Sequence, residues 1–213
     1  MKTIFLEGEI TTDVAKQFRA QLPLSGEPVT LDIFSEGGSV VAALRICDVI
    51  KSYAGRVTAR VSSAFSAATM VSSACDEVQI TPMGSMMIHA PYFETEGVSS
   101  SEKGFLESLR SRMESIYAQK TRKPLAMVSK WLDGEVFFDS ATAIAAGLAD
   151  RLCYEPMARV SVAQAVGPSI AWKRAVNARL SLGMDTMRAK LEVDRVYPGL
   201  RLRMIQETNQ ARR

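Results

Sequence analysis

The chain has 213 residues, of which 47% are apolar and 23% charged, and its formal net charge of +3 at pH 7 excludes a strongly basic nucleic-acid-binding protein as a whole. No apolar run approaches the roughly 18 residues of a membrane span, and the three scattered cysteines lack a Cys-x-x-Cys pair, which argues against a disulfide framework. A histidine metal cluster is excluded because the chain has one histidine, His89. We therefore expect a cytoplasmic protein with one sizeable core and no membrane contact.

The apolar pattern predicts alternating strands and helices in the first half of the chain. A period of two at 29–34 indicates a strand, and apolar residues at helical spacing over 40–53 indicate a helix. In chain order the pattern predicts a strand over 3–6, a helix over 12–22, a strand over 29–34, a helix over 40–53, a strand over 56–61, a helix over 66–74, and strands over 77–80 and 86–89 joined by a turn at 81–85.

In the second half, Ser99-x-x-Glu102 is a capping-box signature that opens a long helix to about residue 121. Gly147 is a typical C-cap for a helix over 140–146, and Asp139 is the residue type expected at its N-cap. A helix over 124–132 and a strand over 149–154 complete the pattern.

Alternating strands and helices predict right-handed crossovers and the α/β fold class, with a largely parallel sheet and helices packed on it. We place this domain at 1–154 and a basic, mainly helical C-terminal extension at 155–213. The extension carries eleven Lys and Arg against five Asp and Glu, whereas the remainder is slightly acidic.

Three sequence features together suggest an acyl-transfer site. The Gly37-Gly38 pair follows a predicted strand and could offer backbone N–H donors to an oxyanion. Ser66 begins a helix of small residues, and His89 ends a strand and is the only imidazole available as a base. Each feature alone is more often structural: a turn, a packing residue or a satisfied histidine.

The combination of motifs is more specific than any one of them. The run Ser35-Glu-Gly-Gly-Ser39-Val40, then Ser62-Ser-Ala-Phe-Ser66-Ala-Ala, then Met87-Ile-His89-Ala-Pro91, then Gly147-Leu-Ala-Asp150 resembles the Clp-type serine peptidases. The order and spacing are most similar to the Clp-related head maturation proteases of tailed phages and prophages. The resemblance covers about residues 3–152 and implies a crotonase-like, layered α/β fold.

This resemblance implies a role for individual residues. Ser66 matches the family nucleophile, His89 the general base, and Gly38 and Ala67 the backbone donors of the oxyanion hole. The third triad member falls at Glu135. Asp133 is the alternative acid, because an extended segment would place it on the same face as Glu135.

The resemblance also implies protein or peptide substrates, a ring-shaped homo-oligomer and no cofactor or metal. Met1 lies almost directly before the first strand, so the axial loops of the Clp proteolytic subunit are expected to be missing or replaced. This argues against coupling to an ATPase ring. It favours a head maturation protease that cleaves scaffold or capsid protein, and such a protease could also reside within a phage procapsid.

Other functions remain open at this point. A catalytically degenerate subunit could serve in assembly or scaffold binding, and a crotonase-type enzyme would use a similar sheet for acyl-CoA thioesters. Cys75 is a weak rival nucleophile, because it falls at the expected end of a buried helix. The basic extension is most simply a solvated appendage. Docking to scaffold or capsid protein is its second interpretation, and nucleic-acid contact is disfavoured because no binding motif accompanies the charges.

Overall fold

A computed structural model describes residues 1–92 and 99–154 of the chain. In chain order the elements are β1 (Lys2–Ile10), α1 (Thr12–Gln21), β2 (Val29–Gly38), α2 (Val40–Ser52), β3 (Val57–Phe65), α3 (Ala67–Ser73), β4 (Glu77–Ile88), α4 (Ser100–Thr121), α5 (Leu125–Asp133), β5 (Val136–Asp139), α6 (Ser140–Ala146) and β6 (Arg151–Leu152). The predicted extension, 155–213, lies outside the described residues. Within the part that is described, no helix combines the length and apolarity needed to cross a membrane.

The strands form one sheet in the order β1-β2-β3-β4-β5, and β6 also pairs with β4. Each neighbouring pair from β1 to β4 is parallel, as is the pair of β4 with β6, whereas β5 runs antiparallel to β4. The predicted α/β class with a largely parallel sheet is confirmed. Because parallel strands share one carboxyl edge, the ends of β2, β3 and β4 converge there.

Rows of apolar side chains cross the sheet and form its core. In two of these rows every residue on β1 to β4 is exposed by 1% or less, so the two rows share one covered face. One such row is Ile4, Leu31, Ala59 and Val78, and the next is Leu6, Ile33, Val61 and Ile80. These rows fix the register, because a one-residue slip would move every apolar side chain to the other face.

Strand β4 differs from its prediction as two strands joined by a turn. It is one strand from Glu77 to Ile88, and its register against β3 jumps from Ile80 to Ser85. Pro82 and Gly84 interrupt the ladder as a turn would, but the chain bulges and does not reverse. Both halves therefore pair with the same neighbour in the same direction. Strand β5 was not predicted, since only four residues form it.

The predicted helix caps are confirmed. Ser99 and Glu102 form a reciprocal capping box at the start of α4. The Asp139 carboxylate accepts the Thr142 N–H at 2.8 Å, and Gly147 ends α6 with a φ of 84°. Local hydrogen bonding sets these positions, so the sequence alone was sufficient to locate them.

An ion pair lies in the row next to the core rows. Arg60 donates to both carboxylate oxygens of Asp32 at 2.6 and 2.7 Å, and the Asp32 side chain is only 1% exposed. Asp32→Asn takes the carboxylate counter-ion away from a largely buried guanidinium, so it should lower the free energy of unfolding by about 3 kcal/mol in urea titration. Asp13→Asn is the control, because it removes an ion pair with Lys16 in which both side chains are more than 70% exposed. It should change the free energy of unfolding by less than about 0.5 kcal/mol. Equal effects would contradict a structural role for the buried pair.

Glu77 is the first residue of β4, and its ion pairs make the stability of the fold depend on pH. Hydrogen bonds from Arg56 at 3.0 Å and Arg151 at 2.7 Å lower the pKa of the Glu77 carboxyl to about 2. Because the folded-state pKa is depressed, this stabilisation is present above the unfolded pKa, near 4.5, and is lost as pH falls towards 2. The stability gap between the wild type and Glu77→Gln should therefore shrink over that range in thermal melts. Glu107 lies on the exposed surface of α4, so Glu107→Gln is the control. If the stability difference between the wild type and Glu107→Gln shrinks equally, the pH dependence does not come from the Glu77 ion pairs.

Candidate active site

The glycine loop at the end of β2 lies directly against Ser66. Gly37 has a φ of 99°, and a Cβ there would come within 2.6 Å of the Phe65 carbonyl oxygen and 2.9 Å of the Ser66 Cβ. Gly38 has a φ of 135°, and a Cβ there would lie 2.7 Å from the Ile10 carbonyl oxygen. Both positions therefore require glycine, for backbone conformation and for close approach.

Ser35 holds this loop in place. Its hydroxyl donates to the Gly8 carbonyl oxygen at 2.5 Å and accepts the Gly37 N–H at 3.1 Å. Ser39, at the other end of the loop, caps α2 by accepting the Ala42 N–H. The sequence motif contained both serines, but the role of Ser35 could not be read from it because Gly8 comes from another strand.

Ser66 joins β3 to α3 in a strained conformation. Its φ of 55° and ψ of −121° are unusual for a residue with a side chain, and such backbones cost about 1–3 kcal/mol. Although Ser66 occupies the N-cap position, its hydroxyl makes no capping bond. A serine at an N-cap normally accepts such a bond, so this hydroxyl is available for another task.

Neighbouring elements hold the Ser66 backbone. Its N–H donates to the Met87 carbonyl oxygen on β4 at 2.8 Å. From α4, the fully buried Tyr117 hydroxyl donates to the Ser66 carbonyl oxygen at 3.4 Å. Ala67 is the first residue of α3, where N–H groups have no acceptor within the helix.

His89 follows β4 directly, two residues beyond Met87, and is half-buried. Its Nδ1 lies 2.6 Å from the Ala90 carbonyl oxygen. A carbonyl can only accept, so Nδ1 is the donor in this bond, and the neutral tautomer that makes it carries its lone pair on Nε2. The Tyr92 ring packs beside the imidazole, with ring centroids 5.4 Å apart.

Glu135 precedes β5 and is exposed. β5 pairs antiparallel with β4, and the last register pair is Val136 with Ile88. Continuing this register by one residue places Glu135 opposite His89. A bond from the Ala90 N–H to the Leu132 carbonyl oxygen, 2.9 Å long, also ties the two segments together.

Asp133 has a different partner. Arg110 on α4 donates to its carboxylate at 2.7 Å, and Asp133 is the last residue of α5. The expectation that Asp133 and Glu135 share an extended segment is therefore wrong, because the helix continues through Asp133 and turns at Gly134.

Cysteine chemistry has little support. Cys75 is buried, and desolvation raises the pKa of its thiol far above the ordinary value, which disfavours a thiolate. Across residues 1–92 and 99–154, no group of three or more His, Cys, Asp or Glu side chains could hold a metal ion.

The structure thus gathers the glycine loop, Ser66 and His89 at the carboxyl edge of the sheet, with Glu135 in register. The described residues form no hydrogen bond between the Ser66 hydroxyl and the imidazole, or between the imidazole and Glu135. Such bonds often tighten only when substrate binds. A hydroxyl, an imidazole whose Nδ1 contacts a carbonyl, and nearby backbone N–H groups are the components that acyl transfer requires.

Comparison with known proteins gives one family. A family model described as Clp protease matches residues 1–156. The ATP-dependent Clp protease proteolytic subunit of Aethionema cordifolium is 27% identical over 161 residues, covering 70% of this chain and 82% of that protein. The chloroplastic ATP-dependent Clp protease proteolytic subunit 1 of Arabidopsis thaliana is 26% identical, with the same coverage. A solved ClpP1 mutant from Listeria monocytogenes matches with a TM-score of 0.66 and 25% identity, covering 72% of this chain and 92% of that one.

Proposed function

Because the chain belongs to the Clp protease family and is a serine peptidase, we propose that Ser66 is its nucleophile and that His89 and Glu135 complete a Ser-His-acid triad. The observation that carries this proposal is the backbone of Ser66. It is strained, it lies against the glycine loop, and its hydroxyl makes no capping bond.

In this mechanism, His89 Nε2 accepts the Ser66 hydroxyl proton as the oxygen attacks a peptide carbonyl. The imidazolium then gives the proton to the leaving amine, and an acyl-enzyme forms. Water, deprotonated by the same nitrogen, attacks the ester and releases Ser66. The Glu135 carboxylate orients the ring and stabilises its charged form.

The oxyanion of each tetrahedral intermediate needs fixed donors, which we assign to the Gly38 and Ala67 N–H groups. The close packing of Gly37 supports this assignment, because a Cβ there would lie 3.1 Å from the Ala67 nitrogen. The loop and the first turn of α3 are therefore neighbours.

A fluorophosphonate probe tests the nucleophile directly, because an activated serine oxygen displaces its fluoride and forms a phosphonate ester. We expect peptide mass spectrometry of the treated protein to find one adduct, on Ser66. An adduct on another serine would reject the assignment. The absence of any adduct would support a second candidate, a catalytically silent assembly or scaffold-binding subunit. The bond from His89 Nδ1 to a backbone carbonyl, where a carboxylate is expected, favours that candidate.

We further propose that the peptidase forms a ring and matures phage heads by cleaving scaffold or capsid protein without an ATPase. The order and spacing of the four motifs support this role. Co-expression with scaffold and capsid proteins encoded beside it should yield shortened products in the absence of ATPase subunits. Cleavage that requires an added Clp ATPase and ATP would contradict it. A cytoplasmic location remains a prediction.

A further inference from the structure

Thr69 makes hydrogen bonds that a helical threonine does not ordinarily make. A threonine hydroxyl inside a helix usually bonds to a carbonyl of the preceding turn. The Thr69 hydroxyl oxygen instead lies 2.5 Å from the Ala64 carbonyl oxygen on β3 and 2.8 Å from the Met87 carbonyl oxygen on β4. It also accepts the Met87 N–H at 3.4 Å, and the side chain is fully buried.

These contacts surround the two proposed reacting residues. Ala64 precedes Ser66 by two residues, and Met87 precedes His89 by two residues. The Met87 carbonyl oxygen also accepts the Ser66 N–H at 2.8 Å, and the Thr69 N–H donates to the Ser66 carbonyl oxygen at 3.0 Å. One hydroxyl therefore connects the strand before the nucleophile, the helix after it and the strand that leads to the base.

We propose that Thr69 is a positioning residue, which fixes the strained Ser66 backbone at a set distance from His89. This inference rests on the proposed nucleophilic role of Ser66. Strained conformations persist only where surrounding contacts over-determine them. Bonds from Tyr117 and to Met87 hold Ser66 directly, and the Thr69 hydroxyl ties together the strands on which Ala64 and Met87 lie. A displacement of about 1 Å at a reacting group can cost about a hundredfold in rate.

The test compares Thr69→Val, which keeps the shape but loses the hydroxyl, with Thr69→Ser, which keeps the hydroxyl. We expect Thr69→Val to lower kcat for a fluorogenic peptide by about 10- to 100-fold with KM within about twofold. Thr69→Ser should recover kcat to within about threefold. Thr121→Val is the matched control, because it removes a buried hydroxyl whose bonds, to the Tyr117 carbonyl and from the Lys123 N–H, lie at the end of α4 and in the turn after it. It should retain wild-type kcat.

Three results would each overturn the proposal. Thr69→Val could retain the wild-type kcat, or Thr69→Ser could fail to recover the kcat that Thr69→Val loses. The third is a loss of kcat in Thr121→Val as large as the loss in Thr69→Val. If Thr69→Val does not fold, Thr69→Cys replaces it, because a thiol is of similar size and a weaker hydrogen-bond donor. Thr69→Cys should then have a kcat below that of the wild type but above the 10- to 100-fold loss expected for Thr69→Val. A wild-type kcat in Thr69→Cys would overturn the proposal. Amide hydrogen exchange separates this idea from the proposed nucleophile. Faster exchange of the Ser66 amide in Thr69→Val supports the positioning role even if the wild type proves inactive, and unchanged exchange rejects it.

Discussion

Replacing Ser66 with alanine should lower kcat for peptide hydrolysis by at least about a thousandfold while leaving the fold intact. The substitution removes the atom that forms the acyl-enzyme, and only the oxyanion donors and substrate binding would remain to accelerate the reaction. The hydroxyl makes no capping bond to α3, so its loss should not destabilise that helix. Steady-state assays with a fluorogenic peptide, together with a thermal melt, measure both quantities.

Ser62→Ala is the matched control for this experiment. Ser62 lies four residues earlier on β3, and its hydroxyl donates to the Ile33 carbonyl oxygen at 3.4 Å, away from the glycine loop. It should retain activity within about twofold. A Ser66→Ala protein as active as the wild type would show that another residue is the nucleophile. Cys75→Ala would then identify or exclude the buried thiol.

Glu135→Gln should lower kcat by about 10²- to 10⁴-fold with little change in stability. The amide cannot stabilise the imidazolium that forms when Ser66 gives up its proton, and it can hold the ring in the wrong tautomer. Glu135 is exposed, so the substitution buries no polar group. The rate loss is measured with the same peptide substrate.

Asp133→Asn distinguishes the two candidate acids. It weakens the bond from Arg110 at the end of α5 and should leave kcat within about threefold of the wild type. A large loss in Asp133→Asn with full activity in Glu135→Gln would reverse the assignment. Full activity in both variants would mean that the Ala90 carbonyl, which already contacts His89 Nδ1, suffices to hold the tautomer.

Local signals in the sequence were sufficient to predict most of the helices, the parallel strands and the caps. Alternating apolar residues at 29–34 and helical spacing at 40–53 report which face of each element is buried, and burial is the strongest local constraint on structure. The glycine pair, Ser66 and His89 could be chosen as a site because three reactive or conformationally special residue types each lie where an element begins or ends. The family resemblance then supplied the roles that spacing alone left open.

Long-range pairing decided the rest. The sequence near Glu135 and Asp133 offers two carboxylates with similar local surroundings, and only the β4–β5 register and the position of Arg110 give them different neighbours. Likewise, Pro82 and Gly84 indicate a break in the ladder, but whether the chain reverses there depends on a partner strand. Ser35 and Thr69 are ordinary polar residues in the sequence, and their roles arise because Gly8 and Met87 reach them from other strands. Each of these outcomes depends on hydrogen bonds between residues far apart in the chain, for which a local pattern carries no signal.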